Sequence, residues 1–207
     1  MVVARENHVP KDVVVDACVW HAAFVRDLLV HLAVDGIVSP IWSAQIEREW
    51  TTSVCRRRPE IEPARVHATA ALIRRVIPQG FRAAPPASIV RGLIARGLPD
   101  PDDAHVIALA ISDRVPSICT FDRRGFPPGL LRQLGIATVS PDQLLSTVAE
   151  ASRDRCLHAI ERHRRSLRMP AVGREEYLAM FRRNRLPVAA ARLESMTWPN
   201  TESPDTG

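Results

Sequence analysis

Two short apolar runs in this chain end in aspartate, and helical patterns separate them. Val13-Val14-Val15 leads into Asp16, and Ser117-Ile118-Cys119-Thr120-Phe121 leads into Asp122. Apolar runs of this length, rich in β-branched residues, read as strands buried on both faces. Residues 18–34, 44–57 and 62–78, and the stretch that opens at Leu98–Asp103, repeat apolar side chains every three to four positions, as amphipathic helices do. Ile37-Val38 and Ile136–Val139 are further strand candidates. Strands that alternate with helices form βαβ units, and hence a mostly parallel sheet with helices on both faces. Ligands of such sheets bind beyond the carboxyl ends of the strands. Asp16 and Asp122 are placed there.

The basic residues narrow the chemistry. Of 28 in the 207-residue chain, only Lys11 is a lysine. A Gly-rich phosphate loop ending in Lys is therefore excluded, as are a kinase lysine, a later Schiff-base lysine and the late lysine of a receiver domain. A haloacid-dehalogenase-like phosphatase needs a second Asp two residues after the first, and position 18 is Cys. The net charge of +5 is uneven. Residues 1–150 carry 17 basic and 16 acidic side chains, whereas residues 151–207 carry 11 and 7. Cys18, Cys55, Cys119 and Cys156 are scattered without a CxxC pair, which reads as a reduced, cytoplasmic protein. No apolar run reaches the ~18 residues of a membrane span. The N-terminal residues lack the apolar core of a secretory signal.

Singly, each acid has a structural explanation. Asp16 suits a turn, and Asp122 precedes the turn Arg123-Arg124-Gly125. Asp100, Pro101 and Asp103 match the N-cap, N1 and N3 positions of a capping box. Glu47 and Glu49 lie on the helix capped by Ser43, and a helical wheel sets Glu47 slightly nearer the Ile46/Trp50/Val54 stripe, so periodicity does not choose Glu49. Jointly, four or five carboxylates at one sheet edge repel one another unless a cation sits among them. Their hard oxygens suit Mg²⁺ or Mn²⁺, which serve phosphoryl chemistry. A Cys–His nucleophile built from Cys18 or Cys119 with His105 is a competing arrangement, although both cysteines lie in apolar surroundings where Cys is usually a core residue.

In order, VVVDACV, WSAQIEREW, LPDPDDAHVIALA and SICTFDRRGFP resemble the acidic motifs of the PIN-domain ribonucleases, and most closely their VapC-type toxin branch. The resemblance covers about residues 11–145 and, more loosely, the helical tail. It implies a three-layer α/β/α fold with a mostly parallel sheet and a C-terminal helical extension. The parts would be a nuclease domain over 1–145, the extension over 146–198 and a disordered tail over 199–207. The residues themselves read as one long helix from Pro141 over roughly 141–167, which crosses into the extension, followed by two short ones.

Residue by residue, the resemblance assigns Asp16, Asp100, Asp103 and Asp122 as ligands of Mg²⁺ or Mn²⁺. Glu49 is the matching helix acid, with Glu47 as runner-up. Thr120 offers a hydroxyl that could position water or metal. The implied activity is metal-dependent endoribonuclease cleavage that leaves a 5′-phosphate and a 3′-hydroxyl, in the toxin of a type II toxin–antitoxin pair. The alternative is a catalytically inactive RNA- or protein-binding module on the same fold. Implied partners are RNA, an antitoxin protein and a second copy in a homodimer. Arg162, Arg164, Arg165 and Arg168 on the late basic helix are candidate RNA contacts. Relatives in this branch often carry Asn at the position of Asp122. They often carry Asp where this chain has Gly125, a change expected to lie away from the ion.

Overall fold

The computed structural model describes residues 11–167 and 172–198. The first strand, β1 (Asp12–Val15), is followed by helices α1 (Ala17–His21) and α2 (Ala23–Val34). Next come β2 (Ser39–Ser43), α3 (Ala44–Arg57), α4 (Pro63–Val76) and the two-residue β3 (Phe81–Arg82). Then follow α5 (Ala87–Ala95), α6 (Ala104–Ser112), β4 (Ser117–Cys119), α7 (Pro128–Gln133) and β5 (Ala137–Val139). The remainder is helical: α8 (Pro141–Ala151), α9 (Arg153–Ser166), α10 (Arg174–Arg183) and α11 (Pro187–Glu194).

The five strands are all parallel, in the order β3-β2-β1-β4-β5. The chain first moves outward from β1 through β2 to β3, then crosses back to β4 and β5. Because parallel crossovers are right-handed, this reversal sends α2–α4 and α5–α7 to opposite faces. The result is the expected α/β/α layering with helices added at the C-terminus. Val13, Val14, Val15 and Ile118 are fully buried, as strands covered on both faces must be. Trp20 and Trp42 join this core, with ring centroids 5.0 Å apart.

Several sequence expectations shift. The second strand is not Ile37-Val38 but Ser39–Ser43, which contains Pro40. The helix expected over 18–34 breaks at Ala22, and the helix expected over 141–167 breaks at Ser152, which closes α8 and opens α9. The short β3 was not foreseen. It is reached through Gly80, where any Cβ would overlap the Pro40 carbonyl and the Trp42 ring.

The extension docks on the α/β core through α9 against α2, and within it α11 packs back on α8. Asp142 fastens the second contact. Its nearly buried carboxylate accepts from the backbone N–H groups of Val188 (3.1 Å) and Ala189 (2.8 Å) at the start of α11. Among the described residues, no helix is long and apolar enough to cross a membrane. Arg168 and the expected disordered tail lie outside the described residues.

Candidate functional site

The strand order reverses between β1 and β4, and in open α/β sheets the crevice at such a switch is the usual ligand site. The register places Val15 beside Cys119, so the next residues, Asp16 and Thr120, leave the sheet side by side. The Asp16 N–H closes the pairing on the Cys119 carbonyl at 3.0 Å.

Thr120 is fully buried, and its hydroxyl joins the two acids. It donates to Asp16 Oδ2 at 2.7 Å and accepts from the Asp122 N–H at 3.0 Å. The Cys18 thiol donates to the same Asp16 oxygen at 3.0 Å. Asp16 Oδ2 is thus fixed by two donors. The Asp122 carboxylate accepts from the Arg124 backbone and side chain, which hold it below the usual carboxylate range, and the charge of Arg185 adds to this.

Asp100 and Asp103 divide their roles. Asp100 is a cap: its Oδ1 accepts from the Asp102 N–H at 2.9 Å, opening the tight turn Pro101–Asp103 ahead of α6. Asp103 caps nothing, so the capping box accounts for the first acid and not for the second. The Asp103 side chain instead lies directly against Gly125, where a Cβ would overlap its Oδ2. The glycine expected away from the acids is therefore in contact with one of them. Burial, together with the negative charges of Asp16, Asp100 and Asp122, pushes the Asp103 carboxyl up to about 7, with His105 opposing. Three separate segments thus bring four carboxylates into one neighbourhood.

The helix acids face different ways. Glu49 Oε1 lies 2.9 Å from Nε2 of the buried His105, on the helix that Asp103 precedes, and it lines a pocket with Cys18 and Phe121. Glu47 accepts from Trp42 Nε1 at 3.3 Å and pairs with Arg74 at 3.5 Å. Glu49 thus ties α3 to the helix that follows Asp103, whereas Glu47 fastens α3 to α4.

The thiols do not suit the Cys–His arrangement. Burial and the neighbouring Asp16 push Cys18 up to about 12, and complete burial raises Cys119 well above its ordinary range. A nucleophilic cysteine needs a lowered pKa.

The basic helix is also more constrained than its sequence suggests. Arg162 pairs with Asp35 at 2.9 Å, and Arg164 and Arg165 both pair with the buried Glu161 at 2.6 and 2.9 Å. These guanidiniums brace α9. Arg185, which sequence reasoning missed, lies over the Phe121 ring at 4.5 Å, next to Asp122 in the chain. No local signal in the sequence connects it with the site.

The donor set fits a hard divalent cation. It consists of carboxylate oxygens whose mutual repulsion, visible at Asp103, such a charge relieves. That fit is one of donor chemistry: as the side chains stand, no group of three or more His, Cys, Asp or Glu among the described residues is placed to hold a metal ion.

Residues 12–124 match the family model described as PIN domain, and residues 141–195 match the one described as VapC50 C-terminal domain. No curated protein and no solved structure matches the chain. The first match spans more than half of the 207 residues and ends just beyond Asp122, while the second spans the helical extension. With its acids gathered at the switch between β1 and β4, the chain belongs to the PIN-domain family, in the branch of the VapC-type toxins.

Proposed function

We propose that the protein is a divalent-metal-dependent endoribonuclease and the toxin of a type II toxin–antitoxin pair, acting in the cytoplasm as a homodimer. The observation that carries this reading is the gathering of Asp16, Asp100, Asp103 and Asp122 at the switch between β1 and β4, within the PIN-domain match. Asp16 and Asp122 come from two other segments of the chain and Asp100 from the turn before Asp103; with burial, their charges raise that carboxyl, and among the described groups His105 opposes them. A structural role alone gives no reason to gather them. The VapC50 C-terminal domain match over the extension supports the toxin role. The nuclease part comprises the sheet and its covering helices, and the extension follows it from about α8 onward.

Asp16, Asp100, Asp103 and Asp122 would hold Mg²⁺ or Mn²⁺. When bound, the ion supplies charge neutralisation for a scissile phosphate and acidity for a water molecule. The protein's own groups do the positioning. Thr120 and Cys18 both hold Asp16 Oδ2, which leaves Oδ1 as the oxygen free to face a ligand. Arg124 orients the exposed Asp122. His105 fixes one oxygen of Glu49, so that the carboxylate can accept a proton from water at a set distance from Asp103.

The test is cleavage of single-stranded RNA with Mg²⁺ or Mn²⁺, with and without EDTA, by wild type, Asp16→Asn and Asp103→Asn. Each substitution should lower the rate by at least ~100-fold, beyond what loss of an outer contact costs. Cleavage that persists in EDTA, or that survives both substitutions, overturns the reading.

A further inference from the structure

The acidic site has a basic wall. A cavity of about 360 Å³ is lined by Cys18, His21, Glu49, Arg57, Phe121 and Arg185, among others. It adjoins the carboxylates through three of these residues. Cys18 bonds Asp16, Glu49 holds His105, and Phe121 lies between Thr120 and Asp122. Two of its lining groups are exposed arginines. Among the described residues, neither Arg57 nor Arg185 takes part in an ion pair, in contrast to Arg162, Arg164 and Arg165. The cavity also contains His21, whose Nδ1 is buried without a hydrogen-bond partner.

The two arginines come from distant parts of the chain. Arg57 ends α3 in the α/β core, and Arg185 follows α10 in the extension. Arg185 has a left-handed backbone, φ 65°, at the position where helices favour glycine. Arg114 ends α6 with a similar φ of 55°, so the conformation alone signals nothing. What distinguishes Arg185 is its guanidinium, which stacks on Phe121 at 4.5 Å and faces the cavity. A stacked guanidinium keeps its N–H fork available at its edge, in the geometry that grips phosphate.

A cluster of four carboxylates repels a polyanion, so an enzyme of this kind needs cations on the flank that the strand crosses. We propose that Arg57 and Arg185 form a phosphate subsite that holds the RNA backbone next to the scissile bond. The helical extension thereby supplies part of the substrate site. The subsite rests on the endoribonuclease reading.

The experiment uses the full chain and a fluorescein-labelled single-stranded RNA. Binding is followed by anisotropy in EDTA across a salt series, and cleavage is followed separately in Mn²⁺. Arg57→Ala and Arg185→Gly should each weaken binding about 5- to 10-fold and reduce the salt slope by about 0.7, the share of one phosphate contact on a single strand. In cleavage, KM should rise with kcat within about twofold, because the lost contact binds ground and transition states alike. Glycine is relaxed at φ 65°, so Arg185→Gly should keep the wild-type Tm, which separates loss of a contact from loss of fold. Arg165→Ala, outside the cavity, should leave the salt slope unchanged. Unchanged affinity and slope in both cavity variants, with wild type cleaving RNA, overturn the subsite and leave the nuclease reading standing. Weakened binding in the variants of a wild type that never cleaves leaves Arg57 and Arg185 as RNA contacts but overturns the nuclease reading and, with it, their place beside a scissile bond. If the variants lose only binding to a poly-glutamate peptide, the cavity takes a protein partner and the RNA subsite is wrong.

Discussion

Gly125 and Asp103 are in contact, and the contact leaves no room for a side chain at position 125. A Cβ there would overlap Asp103 Oδ2, the far end of a short side chain rather than backbone. Gly125→Ala should therefore displace the carboxylate and spare the fold. A misplacement of about 1 Å at a reacting centre costs roughly 10²-fold in rate. We expect a loss of that order in RNA cleavage with Tm within a few degrees of wild type, measured by scanning calorimetry on the same preparation.

Thr120 joins Asp16 to Asp122 through one hydroxyl. Thr120→Val keeps the shape and removes both hydrogen bonds, leaving a buried N–H and a carboxylate oxygen less satisfied. That should destabilise the protein by about 1–3 kcal/mol in urea unfolding. Cleavage should fall about 10- to 100-fold, the usual range for groups that orient a ligand. Thr120→Ser should restore most of both, and a silent Thr120→Val would show that the hydroxyl is incidental.

With the proposed ion at the site, the raised Asp103 carboxyl would make metal and pH act on stability together. In the unfolded chain the group loses its proton near 3.8, and in the fold near 7. Between those values the native state holds a proton that the unfolded state has released. Stability therefore declines as pH rises through this window and stays lowered above it. Without metal, Asp103→Asn should raise Tm at pH 8 and change it little at pH 4. Added Mn²⁺ should raise the wild-type Tm more at pH 8 than at pH 5, and should do much less for Asp103→Asn. Thermal-shift curves at the three pH values decide it.

His163 acts in the opposite direction, away from the site. Burial, with some help from His31, lowers its pKa to about 3, and its Nδ1 lies 2.6 Å from the Tyr177 hydroxyl. Below pH 6.5 the unfolded chain gains a proton that the fold refuses. This contribution to stability is lost as pH falls from about 6.5 toward 3, by at most about 1.4 kcal/mol per pH unit. His163→Phe should flatten the acid side of the stability profile, whatever constant offset results from leaving Tyr177 unpaired. Equal slopes for the two proteins would show that His163 charges freely in the fold.

The sequence was readable where local pattern and tertiary role coincide. Val13–Asp16 and Ser117–Asp122 announce buried strands with acids at their ends, and those acids stand at the sheet switch. It was misleading at β2. Proline is normally excluded from an inner strand. Pro40 is tolerated because β3 reaches only Trp42 and Ser43, so the missing N–H faces an unpaired edge. The break at Ser152 carries no Gly or Pro to mark it, and it lets α8 meet α11 while α9 meets α2. For Glu47 and Glu49, periodicity leaned slightly to Glu47 and was blind to their partners, because Trp42, Arg74 and His105 come from other elements. The arginines at 162, 164 and 165 resemble a nucleic-acid patch until Asp35 and Glu161 are seen beside them.

The hydrogen bond from Thr120 to Asp16 spans 104 residues, and this has a consequence during synthesis. A ribosome releases β1, β2 and their helices long before β4 exists, and pairings this distant close late. The nascent chain therefore carries Asp16 and Glu49 as separated surface acids until Asp100, Asp103 and Asp122 have all emerged. Arg185 follows more than sixty residues later. On the proposed reading, the site that would cut RNA is thus unassembled for most of the time the chain remains attached to the message and machinery that make it.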